Sequence, residues 1–228
     1  TGAAGYHAWG QTYAGGTALA TLATPDRLSG QAAAVARWAT DLALRTVTIT
    51  TLETIGGWRR SIEHVTLGLS DLHDGELLAN GVARAFDRIS HTTSVIQHGD
   101  LGPWNIYLSM DGKPTVIDWA DSNMTGLPAC DLIHFLAHLC LCGHDAYQGE
   151  PRSLVIASLM DPTSDCGRLM ANHTRTYAMK VGLGVDQLDD YRVVTWALDL
   201  LDRPSFEWSD GLYVELLRAE IRRMTPKP

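Results

Sequence analysis

An Asp111-Gly112 pair flanked by β-forming residues, Ile106-Tyr107-Leu108 before it and Val116-Ile117 after it, is the strongest constraint in this 228-residue chain. A two-residue type I′ turn needs positive φ at both centres, which Asp-Gly tolerates, so the spacing predicts a β-hairpin spanning 105–118. With Asp111 and Gly112 as the turn, Ile106 faces Ile117 and Asn105 faces Asp118. Directly opposed residues of an antiparallel pair have Cα atoms about 4.5–5.5 Å apart. The hairpin is thus expected to bring an amide and a carboxylate together at its open end.

That pairing has chemical content. Two oxygen donors side by side suit a hard cation such as Mg²⁺, which takes few ligands from protein and the rest from water and phosphates. Asp100 lies on the loop that enters the hairpin and is placed to take a proton from a hydroxyl. A base, an amide and a carboxylate in this order are the parts needed to move a phosphoryl group. The plain alternative is a surface hairpin with incidental acids. Three polar positions in register favour the chemistry.

The string His98-Gly99-Asp100-Leu101-Gly102-Pro103-Trp104-Asn105, then Val116-Ile117-Asp118-Trp119, then Gly126-Leu127-Pro128-Ala129-Cys130-Asp131-Leu132, resembles the aminoglycoside phosphotransferase and choline kinase-like family. These enzymes are distant relatives of protein kinases, whose H-R-D-x-x-x-x-N and D-F-G elements match in role. The resemblance covers residues 5–140 and implies ATP and Mg²⁺ as cofactors and a small-molecule hydroxyl as acceptor. By motif position it implies Asp100 as catalytic base, Asn105 and Asp118 as metal and cofactor ligands, and His98 as a brace for the catalytic loop. Asp131 would be a structural acid tying its helix to that loop. The motifs do not specify the acceptor, which is expected to be an antibiotic or a metabolite such as choline, a sugar or homoserine.

Such kinases carry an upstream, strand-rich lobe with a phosphate-binding loop and a lysine held by a glutamate. Here the lysines are Lys113, Lys180 and Lys227, all after the catalytic loop. The segment Tyr6–Leu19 resembles the hinge strand and G-x-x-L step that join the two lobes. The chain is therefore read as a hinge or linker (1–24) followed by the large C-terminal lobe (25–228). Within that lobe the catalytic loop and metal site fall at 98–118 and a helical substrate-side region at 129–224. A fragment of a longer enzyme, a lobe completed by another polypeptide, and a non-catalytic kinase-like binding or scaffold module all fit. The first is favoured because base, amide and carboxylate are all retained.

Composition narrows the partners. A formal net charge of −8 argues against nonspecific nucleic-acid binding, which needs a basic footprint. No apolar run reaches the 18 residues expected of a membrane span, and the opening residues lack the basic start of a signal peptide. Cys130, Cys140, Cys142 and Cys166 show no framework spacing and read as reduced thiols of a cytoplasmic protein. His134 and His138, four apart with Cys142 four further on, invite a zinc reading. The apolar surroundings favour a packed core helix instead.

The fold class expected is α+β, mostly helical, with one small sheet. Helices are expected from Pro25 or Asp26 to Arg45, at Trp58–Leu72 and Gly75–Ile89, and at Ala129–Cys142. Gly56-Gly57 should break the chain, and Ser94–Gln97 should form the strand feeding the catalytic loop. Pro151, Pro162 and the Gly182/Gly184 pair punctuate three or four further helices to Met224, before a frayed tail. Asp199, Asp202, Glu207, Trp208 and Asp210, near Trp196 and Phe206, are candidate acceptor contacts, because acids attract ammonium groups and aromatic faces hold them. Against this, residues 143–228 hold thirteen acids and ten bases, an ordinary balance for a solvated surface.

Overall fold

The chain's apolar residues recur at helical spacing over most of its length, and helices dominate the computed structural model, which describes residues 15–89, 93–147, 149–201, 208 and 211–225. In chain order these are β1 (Thr17–Ala18), α1 (Leu19–Leu22), α2 (Leu28–Thr46), β2 (Thr48–Ile49), α3 (Leu52–Leu69), α4 (Gly75–Arg88) and β3 (Thr93–Gln97). A 3-10 turn at Pro103–Asn105 leads into β4 (Ile106–Leu108), β5 (Pro114–Val116) and β6 (Asn123–Gly126). The rest is helical: α5 (Cys130–Gly143), α6 (Gly149–Met160), α7 (Asp165–Val181), α8 (Leu188–Asp199) and α9 (Leu212–Met224). Residues 6–14 of the expected hinge segment Tyr6–Leu19 lie outside the described residues; in its described part, β1 pairs antiparallel with β4.

In place of the one small sheet expected, two small antiparallel sheets form, ordered β1-β4-β5 and β2-β3-β6, because β3 pairs with β2 and β6 rather than joining the hairpin. The result is a mostly helical α+β fold. No described helix is long and apolar enough to cross a membrane.

Helix α5 is the centre of the core. Leu132, Ile133, Phe135, Leu136, Leu139 and Leu141 are all buried, so it is enclosed on every side. It packs on α2, α7 and α8, while α9 closes over α8. Cys130, Cys140 and Cys166 are free and buried, and Cys142 is free and half-buried.

One expected break is absent. Helix α3 runs straight through Gly56 and Gly57. Each glycine costs about 1 kcal/mol in a helix interior. The same helix buries Trp58, Ile62, Val65 and Leu69, worth about 1.5–3 kcal/mol each, and Thr51 caps its start by accepting from the Thr54 N–H at 3.1 Å. Burial outweighs propensity. Gly182, by contrast, ends α7 as expected, in the left-handed conformation.

Candidate active site

Strand β3 delivers His98, Gly99 and Asp100 into a loop whose backbone is clamped from two directions. From α5, Asp131 accepts the His98 N–H on Oδ2 at 2.6 Å and the Gly99 N–H on Oδ1 at 3.1 Å. Burial pushes the Asp131 carboxyl up, and these two backbone donors only partly reverse it. From the hairpin side, the His98 ring meets the Ile117 carbonyl at 2.7 Å through Nε2. A carbonyl only accepts, so the proton sits on Nε2, which leaves Nδ1 to accept the Asp100 N–H at 3.3 Å. His98 is fully buried, with the Trp119 ring 4.8 Å away.

Gly99 has a specific reason to be glycine. Its φ is +88°, and a Cβ there would lie 2.2 Å from the Asp121 carbonyl oxygen. Loop and turn approach too closely for any side chain.

The Asp100 carboxylate is held by hydrogen bonds on one oxygen, and its side chain is one-third exposed. Its Oδ2 accepts from Trp104 Nε1 at 3.0 Å and from Asn105 Nδ2 at 2.9 Å. The same Asn105 nitrogen donates to the Asp100 carbonyl at 2.9 Å. With that nitrogen committed, the amide oxygen of the buried Asn105 is the atom left for a cation.

The hairpin forms, but its register differs from expectation. Ile106 pairs with Val116, and the Ile117 N–H donates to the Asn105 carbonyl at 3.0 Å. Asn105 therefore faces Ile117, and Asp118 lies one residue further on. The cause is the turn. Met110, Asp111 and Gly112 form a three-residue loop closed by Ser109 N–H to the Lys113 carbonyl, and of these only Gly112 has positive φ, +75°. The Ser109 hydroxyl fixes this shape by donating to Asp111 at 2.5 Å and accepting the Lys113 N–H at 3.0 Å. Lys113 and Ser109 together hold the Asp111 carboxyl at about 2. Asp118 itself leaves β5 in the left-handed region, φ +60°, with its side chain exposed. That conformation is tolerated by aspartate and costly for most other residues.

Asn105 and Asp118 offer an amide oxygen and a carboxylate, both hard donors of the kind Mg²⁺ prefers. No cluster of three or more His, Cys, Asp or Glu able to hold a metal exists among the described residues. The donor set thus fits a cation that completes its shell with water and phosphate, and does not fit an all-protein cage.

Two groups at this site were given no role by the motif reading. Trp104 donates to Asp100, and His134 stands behind it. His134 Nδ1 lies 2.9 Å from Asp199 Oδ2, and its Nε2 faces Asp100 Oδ1 at 3.7 Å. Nε2 is buried with no hydrogen-bond partner among the described residues, a situation that costs about 1–3 kcal/mol when the atom is left unsatisfied. Burial pushes the His134 imidazole down, but Asp199, by charge and hydrogen bond, with Asp100 and Asp131, more than reverses this and holds it above the usual histidine range. A signal existed. His134 follows Asp131 by three positions, so once Asp131 is tied to the loop His134 shares its face. His138, one turn on, is engaged by Tyr147 at 3.0 Å and Tyr213 at 3.1 Å.

Beside the loop lies a cavity of about 190 Å³, lined by Gly99, Asp121, Asn123, Asp131, His134 and Asp199 among others. Of the candidate acceptor contacts, Asp199 reaches this cavity. Trp208 is buried and packs its ring onto Gly68 of α3, and Trp196 is fully buried in the core. Asp202, Phe206, Glu207 and Asp210 lie outside the described residues.

The sequence model of the phosphotransferase enzyme family matches residues 4–149, well over half of the chain. Comparison with curated proteins and with solved structures gave no significant match. Catalytic loop, hairpin and the α5 acid all fall inside the matched span, and the chain belongs to the phosphotransferase enzyme family of aminoglycoside phosphotransferase and choline kinase-like proteins.

Proposed function

We propose that this chain is the large lobe of a small-molecule kinase, transferring the ATP γ-phosphoryl group to an acceptor hydroxyl. Asp100 orients the hydroxyl and takes its proton. Asn105 and Asp118 would hold Mg²⁺, which would supply charge neutralisation on the phosphates. His98 and Asp131 fix the loop, so the base needs little reorganisation when the acceptor arrives. The carboxylates of the adjoining cavity, Asp121 and Asp199, give the acceptor side an acidic lining suited to an amine-bearing antibiotic or metabolite. Four free thiols agree with a cytoplasmic setting.

The observation that carries this reading is the Asp100 carboxylate, held on Oδ2 by Trp104 and Asn105 and one-third exposed. A base must be fixed and reachable at once, and Asp100 is both. The nucleotide cover is expected to come from the remainder of a longer enzyme. Among the described residues Lys113 pairs with Asp111 at the hairpin tip and Lys180 is exposed at the end of α7, so neither meets Asp100, Asn105 or Asp118. The test is a panel of hydroxylated acceptors with γ-labelled ATP and Mg²⁺, comparing the parent with Asp100→Ala in the full-length enzyme. Label transfer by the parent and none by a folded Asp100→Ala is expected. Equal transfer by both would remove Asp100 from the mechanism.

A further inference from the structure

His134 sits between two carboxylates that come from different parts of the chain. Asp199, at the end of α8, meets Nδ1 at 2.9 Å. Asp100, on the catalytic loop, faces Nε2 at 3.7 Å, and Nε2 has no hydrogen-bonding partner among the described residues. A neutral ring cannot satisfy both sides. With its one proton on Nδ1 it would direct a buried lone pair at the Asp100 carboxylate. With the proton on Nε2 it would direct that lone pair at Asp199. Only the doubly protonated ring offers an N–H to each.

We propose that His134 is a positioning residue for the catalytic base: an imidazolium anchored by Asp199 that presents its Nε2–H to Asp100 Oδ1. Trp104 and Asn105 then hold one oxygen of Asp100, and His134 steadies the other. This rests on Asp100 being the base of the transfer reaction proposed above. His134 neither touches the acceptor nor gives up its proton. It acts by fixing where the carboxylate points.

The surroundings agree. The groups that face the ring are Asp131 and His138 from its own helix, Asp199 from α8, Tyr213 from α9 and Asp100 from the catalytic loop. Between ring centroids, Trp104 lies 6.3 Å away, His138 4.3 Å and Tyr213 6.1 Å. Three carboxylates surround one imidazole. His138 adds no competing charge demand, because both its nitrogens are engaged by tyrosine hydroxyls. The upward displacement of the His134 titration has the same origin.

The decisive measurement is NMR of the ¹⁵N-histidine-labelled chain, with His134 assigned by its loss in His134→Gln. Both ring nitrogens are expected to be protonated at pH 7. The titration should move to lower pH in Asp199→Asn and, separately, in Asp100→Asn. A single neutral tautomer at pH 7, or a titration unmoved by Asp100→Asn, overturns the assignment. This arm decides the role of His134 without knowledge of the acceptor.

The activity arm uses the full-length enzyme. His134→Gln is expected to lower kcat at least tenfold with KM for ATP unchanged, and to remove the alkaline limb of the kcat–pH profile. A merely structural histidine would leave that limb in place, and that result also overturns the assignment. If NMR shows the coupling but Asp100→Ala transfers phosphate normally, the base assignment fails and the ion pair stands.

Discussion

The catalytic strip, 98–118, and the helical body behind it, α5 with α8 and α9, are held together by different physics. The strip is shaped by backbone hydrogen bonds, two left-handed glycines and a left-handed aspartate, and of its large apolar side chains only Leu101 and Ile106 are fully buried. The body is held by burial, with α5 enclosed on all sides. The strip therefore depends on single atoms in single places, and the body on summed area. The seam between them is polar: Asp131 reaches from α5 to the loop, and His134 reaches from α5 to Asp100.

Four substitutions break or sharpen that contrast. Asp100→Ala removes the proposed base and its contacts to Trp104, Asn105 and His134. It is expected to lower transfer by about 10²–10⁴-fold, the usual contribution of a general base, with an unchanged circular dichroism spectrum and a modestly lowered melting temperature. Phe135→Ala touches the body alone. Phe135 is fully buried, so chemical denaturation should show a loss of about 3–5 kcal/mol, with any residual folded enzyme still transferring phosphate. Gly99→Ala tests whether the strip depends on one backbone angle. The strained φ should cost about 1–3 kcal/mol, and the clash with the Asp121 carbonyl should depress kcat further. Parental stability and turnover in this variant would mean the loop yields easily.

The smallest effect is the pH dependence of stability at the seam. The His134 pKa is higher folded than unfolded, so the folded state holds that proton more tightly. Its contribution is complete below the unfolded value, about 6.5, and disappears as pH rises through the raised folded value. Denaturation midpoints measured upward from pH 6 should fall in the parent, and His134→Gln should flatten that fall. Identical slopes in the two proteins would place the histidine's charge outside the energetics of the seam.

The same contrast explains what could be read from the sequence. The helices α2, α4 and α5 were legible because long periodic apolar patterns report burial directly. The hairpin's existence was legible from Asp111-Gly112. Its register was not, because the loop length is decided by the Ser109 hydroxyl bonding Asp111 and Lys113 rather than by the Asp-Gly pair. Gly56-Gly57 misled because propensity is local while the burial of Trp58 and Ile62 is tertiary. At the site, the residues of the contiguous motif were nameable. The partnership of His134 with Asp199 joins positions 65 apart, and no spacing rule reaches that far.

Asp131 has one further mechanical consequence. Because its two oxygens grip consecutive amides of the loop, the first turn of α5 and the catalytic segment translate as one rigid unit. A repacking change deep beneath that helix would then be transmitted to the reacting atoms undamped. Displacements of about 1 Å are enough to slow a reaction by about 10²-fold, so turnover should be a finer gauge of α5 packing than melting temperature.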